Sequence, residues 1–431
     1  MQHHQAIRCA IRGQPQLGLR CFISTTARRS SALGPIRKRV KVVLLSLSPR
    51  IQLALRDFKK TTLERGTTLQ KRKLLALDGG GIRGVLSLGI LAKVEKIVGK
   101  PLGDYFDYIG GTSTGAIIAT GLALGFSVSK LRQFYDDCGP MMFEPRFLLQ
   151  RYKSQYASDP LRKKLMDTFG PERTLGSADL KPKLLILTRN WTTDSPWPVS
   201  NNPAAKYNDR NRPDCNLNIP LWQLVRASTA APTYFPPEVL NWDKADSSKS
   251  FAFVDGGITP YNNPAFQLFR MATLPEYRLG WETGEDNMLI ISVGTGSAPS
   301  AGPSYENPDK SILSQIPGLI SALMYAAEVD QDLSCRTVGR CVYGHAIDRE
   351  LGNMIPGADP IPQKAFRYAR YNAELTEKGL DDVKLGELKP KLDELLKMDL
   401  ATPENMKRLR VVGDAVGSEV KPEHFGDFLG A

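Results

Sequence analysis

The chain has 431 residues and a net charge of +12, but residues 1 to 73 hold 17 lysines and arginines against two acids (Asp57, Glu64), so the remaining body sums to −3. Its apolar and charged fractions are those of an ordinary globular protein, which excludes a largely disordered chain, and the near-neutral body excludes nucleic acid as an evident partner. Six cysteines, at 9, 21, 138, 215, 335 and 341, form no Cys-x-x-Cys pair, which excludes a disulfide framework or zinc site as the organising principle and fits a reducing compartment.

Residues 1 to about 40 carry seven arginines, no acid, and clustered Ser/Thr at Ser24–Thr26 and Ser30–Ser31. That composition is expected of a mitochondrial transit peptide, with Arg20-Cys21-Phe22-Ile23-Ser24 as a cleavage pattern; a basic arm or an internal start codon is the alternative. Val40 to Leu47 is too short to span a bilayer. Residues 1–70 are therefore set apart as a basic extension and the protein is expected inside the cell, at mitochondria if the presequence reading holds and otherwise in the cytoplasm or at a membrane periphery.

At Lys73 the texture changes. Leu74–Asp78 is a continuous apolar run of the kind buried on both faces of a parallel sheet, and Gly79-Gly80-Gly81-Ile82-Arg83-Gly84 then opens a helix running to Gly99. Glycines at a helix N-terminus expose backbone N–H groups to an anion, either a bound phosphate or a transient oxyanion. A second strand is expected at Tyr105–Ile109, then the turn Gly111-Thr112-Ser113-Thr114-Gly115, then an apolar helix: strand, Gly-x-Ser-x-Gly and helix together spell a nucleophile elbow presenting Ser113. The uncharged window from Tyr108 to Ser129 is rich in glycine and is read as strand, elbow and core helix, not as a membrane span.

Further along, Pro140–Leu149 is an apolar, proline-bearing segment, either a lid or a packed loop. Strands are expected at Lys183–Thr188, Phe251–Asp255 and Met288–Val293, with a Pro/Asn/Asp-rich loop at 192–216 and a helix at Leu221–Ala227. After a linker at 297–310 the chain reads as helical with little chemistry, and Leu388, Leu392, Leu395 and Leu396 form a packing stripe. The expected division is 1–70 extension, 71–296 catalytic domain and 297–431 mostly helical region.

Four blocks, Asp78–Gly84, Gly111–Gly115, Ala227-Ser228-Thr229-Ala230-Ala231-Pro232 and Asp255-Gly256-Gly257, resemble the patatin-like phospholipase family in order and spacing over about residues 71 to 296. The resemblance implies a three-layer α/β fold with a mainly parallel sheet between helices. It also implies that Ser113 is the nucleophile, Asp255 the base, and the Gly79, Gly80 and Gly81 amides with Arg83 the oxyanion loop. Gly84, Gly111, Gly115, Gly256 and Gly257 are its turn glycines. The implied reaction is hydrolysis of fatty-acyl esters of phospholipids or other glycerolipids at a membrane or droplet surface, through an acyl-serine, with no cofactor and no metal; the absence of an acidic ligand cluster agrees with calcium independence. A serine needs a base to take its proton and an attacked ester needs donors for its developing charge, so the residue types themselves fit acyl transfer.

Other readings make distinguishable demands. A dinucleotide-binding oxidoreductase fits the Gly-x-Gly-x-x-Gly loop but needs an acid ending the next strand, where the chain has Ile109-Gly110-Gly111. An α/β-hydrolase triad of Ser113, Asp255 and His345 has the right chain order, but the roughly forty residues from Lys73 to the elbow leave room for only one strand–helix unit and the elbow strand. A silent lipid-binding scaffold would show no esterase activity sensitive to Ser113→Ala.

Overall fold

The computed structural model describes residues 70–142, 159–232, 234–242, 246–299, 312–355 and 361–430. The transit-peptide reading and most of the expected lid lie outside them. One unit runs from Leu69 to Ala431.

Among the described residues its frame is a nine-stranded sheet: β1 (Arg72–Leu77), β2 (Tyr108–Thr112), β3 (Lys183–Asn190), β4 (Ser195–Ser200), β5 (Glu238–Asn241), β6 (Ser250–Asp255), β7 (Met288–Val293), β8 (Arg340–Tyr343) and β9 (Arg367–Tyr371). The spatial order is β5-β6-β3-β2-β1-β7-β9-β8, with β4 paired to β3 off this path. The pairings β3–β2–β1–β7–β9–β8 are parallel, and the β3–β4, β3–β6 and β6–β5 pairings are antiparallel. Alternate residues of the central strands enter two separate apolar clusters. Leu75, Leu77, Ile109, Ile186 and Ile291 face the helices Gly84–Val98, Thr114–Ala123 and Pro403–Gly417, while Leu74, Ala76, Tyr108, Leu187 and Ile290 face the helix Ala265–Thr273 and Cys335 of the helix Ile312–Val338. A strand buried on both faces has no polar side to alternate with, which is why these runs are continuously apolar. The result is the expected three-layer α/β architecture. Among the described residues no helix is long and apolar enough to cross a membrane.

Several expected boundaries shift. The strand placed at Tyr105–Ile109 starts at Tyr108 and runs through Gly110 and Gly111 to Thr112, because Leu102–Tyr105 forms a helical turn in which Gly103 packs against the Leu122 carbonyl, where a Cβ would clash. Within the loop read at 192–216, Ser195–Ser200 pairs with β3 despite Pro196 and Pro198, as an edge strand can when its missing N–H groups face away from the ladder. Glu238–Asn241 was not anticipated as a strand. The region past 297 is not only helical: it supplies β8 and β9 to the same sheet, and Pro403–Gly417 crosses Gly84–Val98 where Gly89 and Gly413 let the two backbones touch. The leucine stripe does pack as expected, Leu395 within the core and Leu388, Leu392 and Leu396 against it.

Candidate active site

The register of β3 brings the two chemically notable residues together. β4 lies along Leu185–Asn190 on one edge of that strand, so β2 and β6 share the other edge and meet end to end, Thr112 opposite Leu187 and Asp255 opposite Thr188. Ser113, one residue beyond Thr112, thereby faces Asp255. Its Oγ donates to Asp255 Oδ2 at 2.6 Å across a sequence separation of 142 residues.

Ser113 has φ 54° and ψ −121°, a conformation rare for a side-chain-bearing residue. Two glycines make the bend possible. A Cβ at Gly111 would overlap the Gly115 carbonyl, and one at Gly115 would overlap the Leu77 carbonyl, so strand, turn and helix touch backbone to backbone. The Ser113 N–H donates to Ser228 Oγ (2.9 Å), whose hydroxyl in turn donates to the Leu187 carbonyl (2.7 Å). Ser228 thus ties the elbow peptide to β3.

Asp255 is buried. Its Oδ1 accepts the Gly257 N–H at 2.7 Å and its own N–H donates to the Ala230 carbonyl at 3.0 Å. Burial pushes its carboxyl up to about 6, against the opposing pull of the Ser113 hydroxyl, the Gly257 amide and the charge of Arg226. A carboxylate titrating there is ionised at neutral pH yet basic enough to take a proton.

Both residues open into a cleft of about 70 Å³ whose walls include Gly80 and Gly81 and the apolar side chains of Ile117, Leu161, Phe235, Ile258 and Met324. Of the glycine loop, Gly79 spends its N–H on the Asn262 carbonyl (3.2 Å) and its carbonyl on Thr295 Oγ1 (2.8 Å), while Ile82 donates to the Met398 carbonyl (2.8 Å). The Gly80 and Gly81 amides donate to no protein acceptor among the described residues. Gly81 has φ +60°, and a Cβ there would overlap the Met398 carbonyl. Gly84, Gly256 and Gly257 are packing glycines: a Cβ would collide with Thr114 Oγ1 at the first and with the Leu187 carbonyl at the second, and would press on Asn262 Oδ1 at the third. Gly79 and Arg83 do not line the cleft; burial depresses the Arg83 guanidinium, opposed by its neighbours Glu328, the Tyr234 phenol and Asp78.

The family model for patatin-like phospholipase matches residues 75–269, which include Ser113, Asp255 and the whole glycine loop. This is a patatin-like domain. The chain is 35% identical over 259 residues to a cGAMP-activated phospholipase of Vibrio cholerae, covering 54% of this chain and 66% of that protein. It is 30% identical over 244 residues to an 85/88 kDa calcium-independent phospholipase A2 of Rattus norvegicus (52% and 27%), and 28% identical over 260 residues to Patatin-17 of Solanum cardiophyllum (54% and 62%). It therefore spans under two thirds of the length of each of the three.

The patatin-like domain leaves histidine out of this arrangement. His345 sits 3.5 Å from Glu419, which raises its pKa, and lines a separate cavity of about 830 Å³; His424 is bonded to the Tyr371 hydroxyl. Neither is a partner of Ser113 or Asp255, so the Ser113/Asp255/His345 triad is not assembled. The dinucleotide reading also fails, since β2 ends in Gly110-Gly111-Thr112 without an acid and the Met398 carbonyl occupies the space against Gly81. Four residues that support the site, Ser228, Asn262, Thr295 and Met398, are not singled out by the sequence. Ser228 lay inside a recognised block and Thr295 between two glycines at a strand end, but the chain carried no signal for Asn262 or Met398.

Proposed function

We propose that this protein is a serine lipid acyl hydrolase acting through a Ser113–Asp255 dyad. The observation that carries the reading is the 2.6 Å hydrogen bond from a strained, buried serine to a carboxylate of raised basicity, at the wall of an apolar cleft. In the first half-reaction Asp255 Oδ2 takes the hydroxyl proton as Ser113 Oγ bonds to the ester carbonyl carbon, and the π electrons move to the carbonyl oxygen. The Gly80 and Gly81 amides receive that oxyanion; Gly79 and Arg83 shape the loop that presents them. Collapse breaks the bond to the glycerol oxygen, which leaves with the proton from Asp255. In the second half-reaction Asp255 deprotonates water as it attacks the acyl-serine carbonyl; collapse breaks the acyl–Oγ bond, Ser113 Oγ takes the proton back from Asp255, and the fatty acid leaves. No metal enters either step, so turnover should persist in excess chelator.

The apolar wall suits a fatty-acyl chain, and the names of the relatives favour glycerophospholipid as the ester class, presented at a membrane or droplet surface. Catalysis belongs to residues 71–296, completed by the strands and loop contacts that follow. The test is incubation of purified protein with a defined panel of phospholipids, galactolipids and triacylglycerols, with products identified by mass. Fatty acid released by wild type and not by Ser113→Ala supports the proposal; equal release by both overturns it.

A further inference from the structure

We propose that Arg370 is a positioning residue for the glycine loop, acting through Asp78; the inference rests on the reading of Gly80 and Gly81 as oxyanion donors. Three consecutive glycines have no side chains to pack, so the direction of their amides must be imposed from outside. Four main-chain anchors do part of this: Asp78 N–H to the Val293 carbonyl (3.1 Å), Gly79 N–H to Asn262, Thr295 Oγ1 to the Gly79 carbonyl, and Ile82 N–H to Met398. The remaining anchor is the Asp78 side chain, which is 1% exposed and stands at the exact point where β1 becomes the loop.

Arg370, on β9 and 3% exposed, grips that carboxylate with both arms of its guanidinium, Nη1 to Oδ1 at 2.9 Å and Nη2 to Oδ2 at 2.6 Å. A two-armed grip fixes the plane of the carboxylate as well as its position. The fork is itself oriented: Nη1 also donates to Ser292 Oγ (2.8 Å) and Nη2 to Glu328 Oε1 (2.7 Å), which further accepts from Asn372 Nδ2 (2.7 Å) and Ser297 Oγ (3.0 Å). Buried ion pairs return little net stability once desolvation is counted, so a network of this kind is better explained by the geometry it enforces. Arg370 lies about a hundred residues beyond the family match, in a region whose sequence showed no chemistry. Donors must sit within about 3 Å of the oxyanion, and a displacement of about 1 Å costs on the order of a hundredfold in rate.

The experiment uses the full chain with Arg370→Lys, which keeps the charge and loses the fork, and Asp78→Asn, which keeps the volume and one acceptor. Each is assayed on a soluble short-chain nitrophenyl ester and with an alkyl trifluoromethyl ketone, whose carbonyl is attacked by Ser113 Oγ and becomes a bound oxyanion. The expected result is a fall in kcat of about 30- to 100-fold with KM within about twofold, and a loss of ketone affinity equal to the loss in kcat/KM. Affinity for the corresponding alkyl alcohol, which places no oxyanion in the loop, should be unchanged. Wild-type kcat, an unaltered ketone affinity, or parallel weakening of ketone and alcohol overturns the proposal; so does failure of both variants to fold, which would make the pair a support of the fold alone. A wild-type activity that Ser113→Ala retains would instead defeat the underlying catalytic reading, and this inference with it.

Discussion

Asp255→Asn should destroy turnover and at the same time make the protein more stable at neutral pH. The carboxyl titrates at about 6 in the folded chain against an ordinary 3.8, because burial disfavours its charge. A gap of roughly two units corresponds to about 3 kcal/mol. The sign follows from proton counting. Between pH 3.8 and 6 the folded chain holds a proton that the unfolded chain has released, so stability declines as pH rises through that window and the full cost stands above it. Asparagine carries no charge to desolvate; its Oδ1 still accepts the Gly257 N–H, and the Ser113 hydroxyl turns to accept from Nδ2. The variant should therefore exceed wild type by up to about 3 kcal/mol in urea unfolding at pH 8, with the difference vanishing near pH 4. Turnover should fall on the order of 10⁴-fold, and wild-type activity should follow one acidic limb centred near 6, dropping to about a tenth of its plateau one unit lower. A variant that unfolds more easily than wild type at pH 8, or a stability difference that does not change with pH, would refute the account of Asp255 as a buried, charge-strained base.

Ser228→Ala leaves the buried Ser113 N–H without an acceptor and should lower unfolding free energy by about 1–3 kcal/mol, with a fall in turnover as the elbow loosens. Gly115→Ala, which forces a Cβ onto the Leu77 carbonyl between two backbones that cannot yield, should cost at least about 3 kcal/mol and show as loss of soluble expression or of the cooperative melt. His345→Ala should keep kcat/KM on a soluble ester within about tenfold of wild type, since its ring pairs with Glu419 and not with the dyad. A fluorescent reporter carrying residues 1–45 should enter mitochondria and be shortened near Phe22 or Ile23; a diffuse, full-length reporter removes the presequence reading without touching the catalytic one.

What the sequence determined by itself is what local chemistry enforces. Leu74–Leu77 and Met288–Val293 announce doubly buried strands because neither face carries an alternating polar set, Ser292 being their one polar residue, and the Gly111/Gly115 spacing announces a strand–turn–helix bend because only glycine allows those backbones to touch. Ser113, Asp255 and the glycine loop were legible for the same reason: each sits at the end of a strand, next to glycines that mark where the backbone must approach something closely. What only the tertiary structure decided depends on which distant segments become neighbours. That Ser113 and Asp255 touch follows from β2 and β6 meeting on one edge of β3, a register no local pattern encodes. Ser195–Ser200 looked like a loop because its prolines oppose strand formation everywhere except at an edge. Of the loop's four glycines and one arginine, only Gly80 and Gly81 turn toward the cleft, because Asn262 and Met398 claim the amides on either side of them. Arg370 carried no signal because a lone arginine in a short strand is indistinguishable from a surface charge until the fold buries it against Asp78, across a separation of 292 residues.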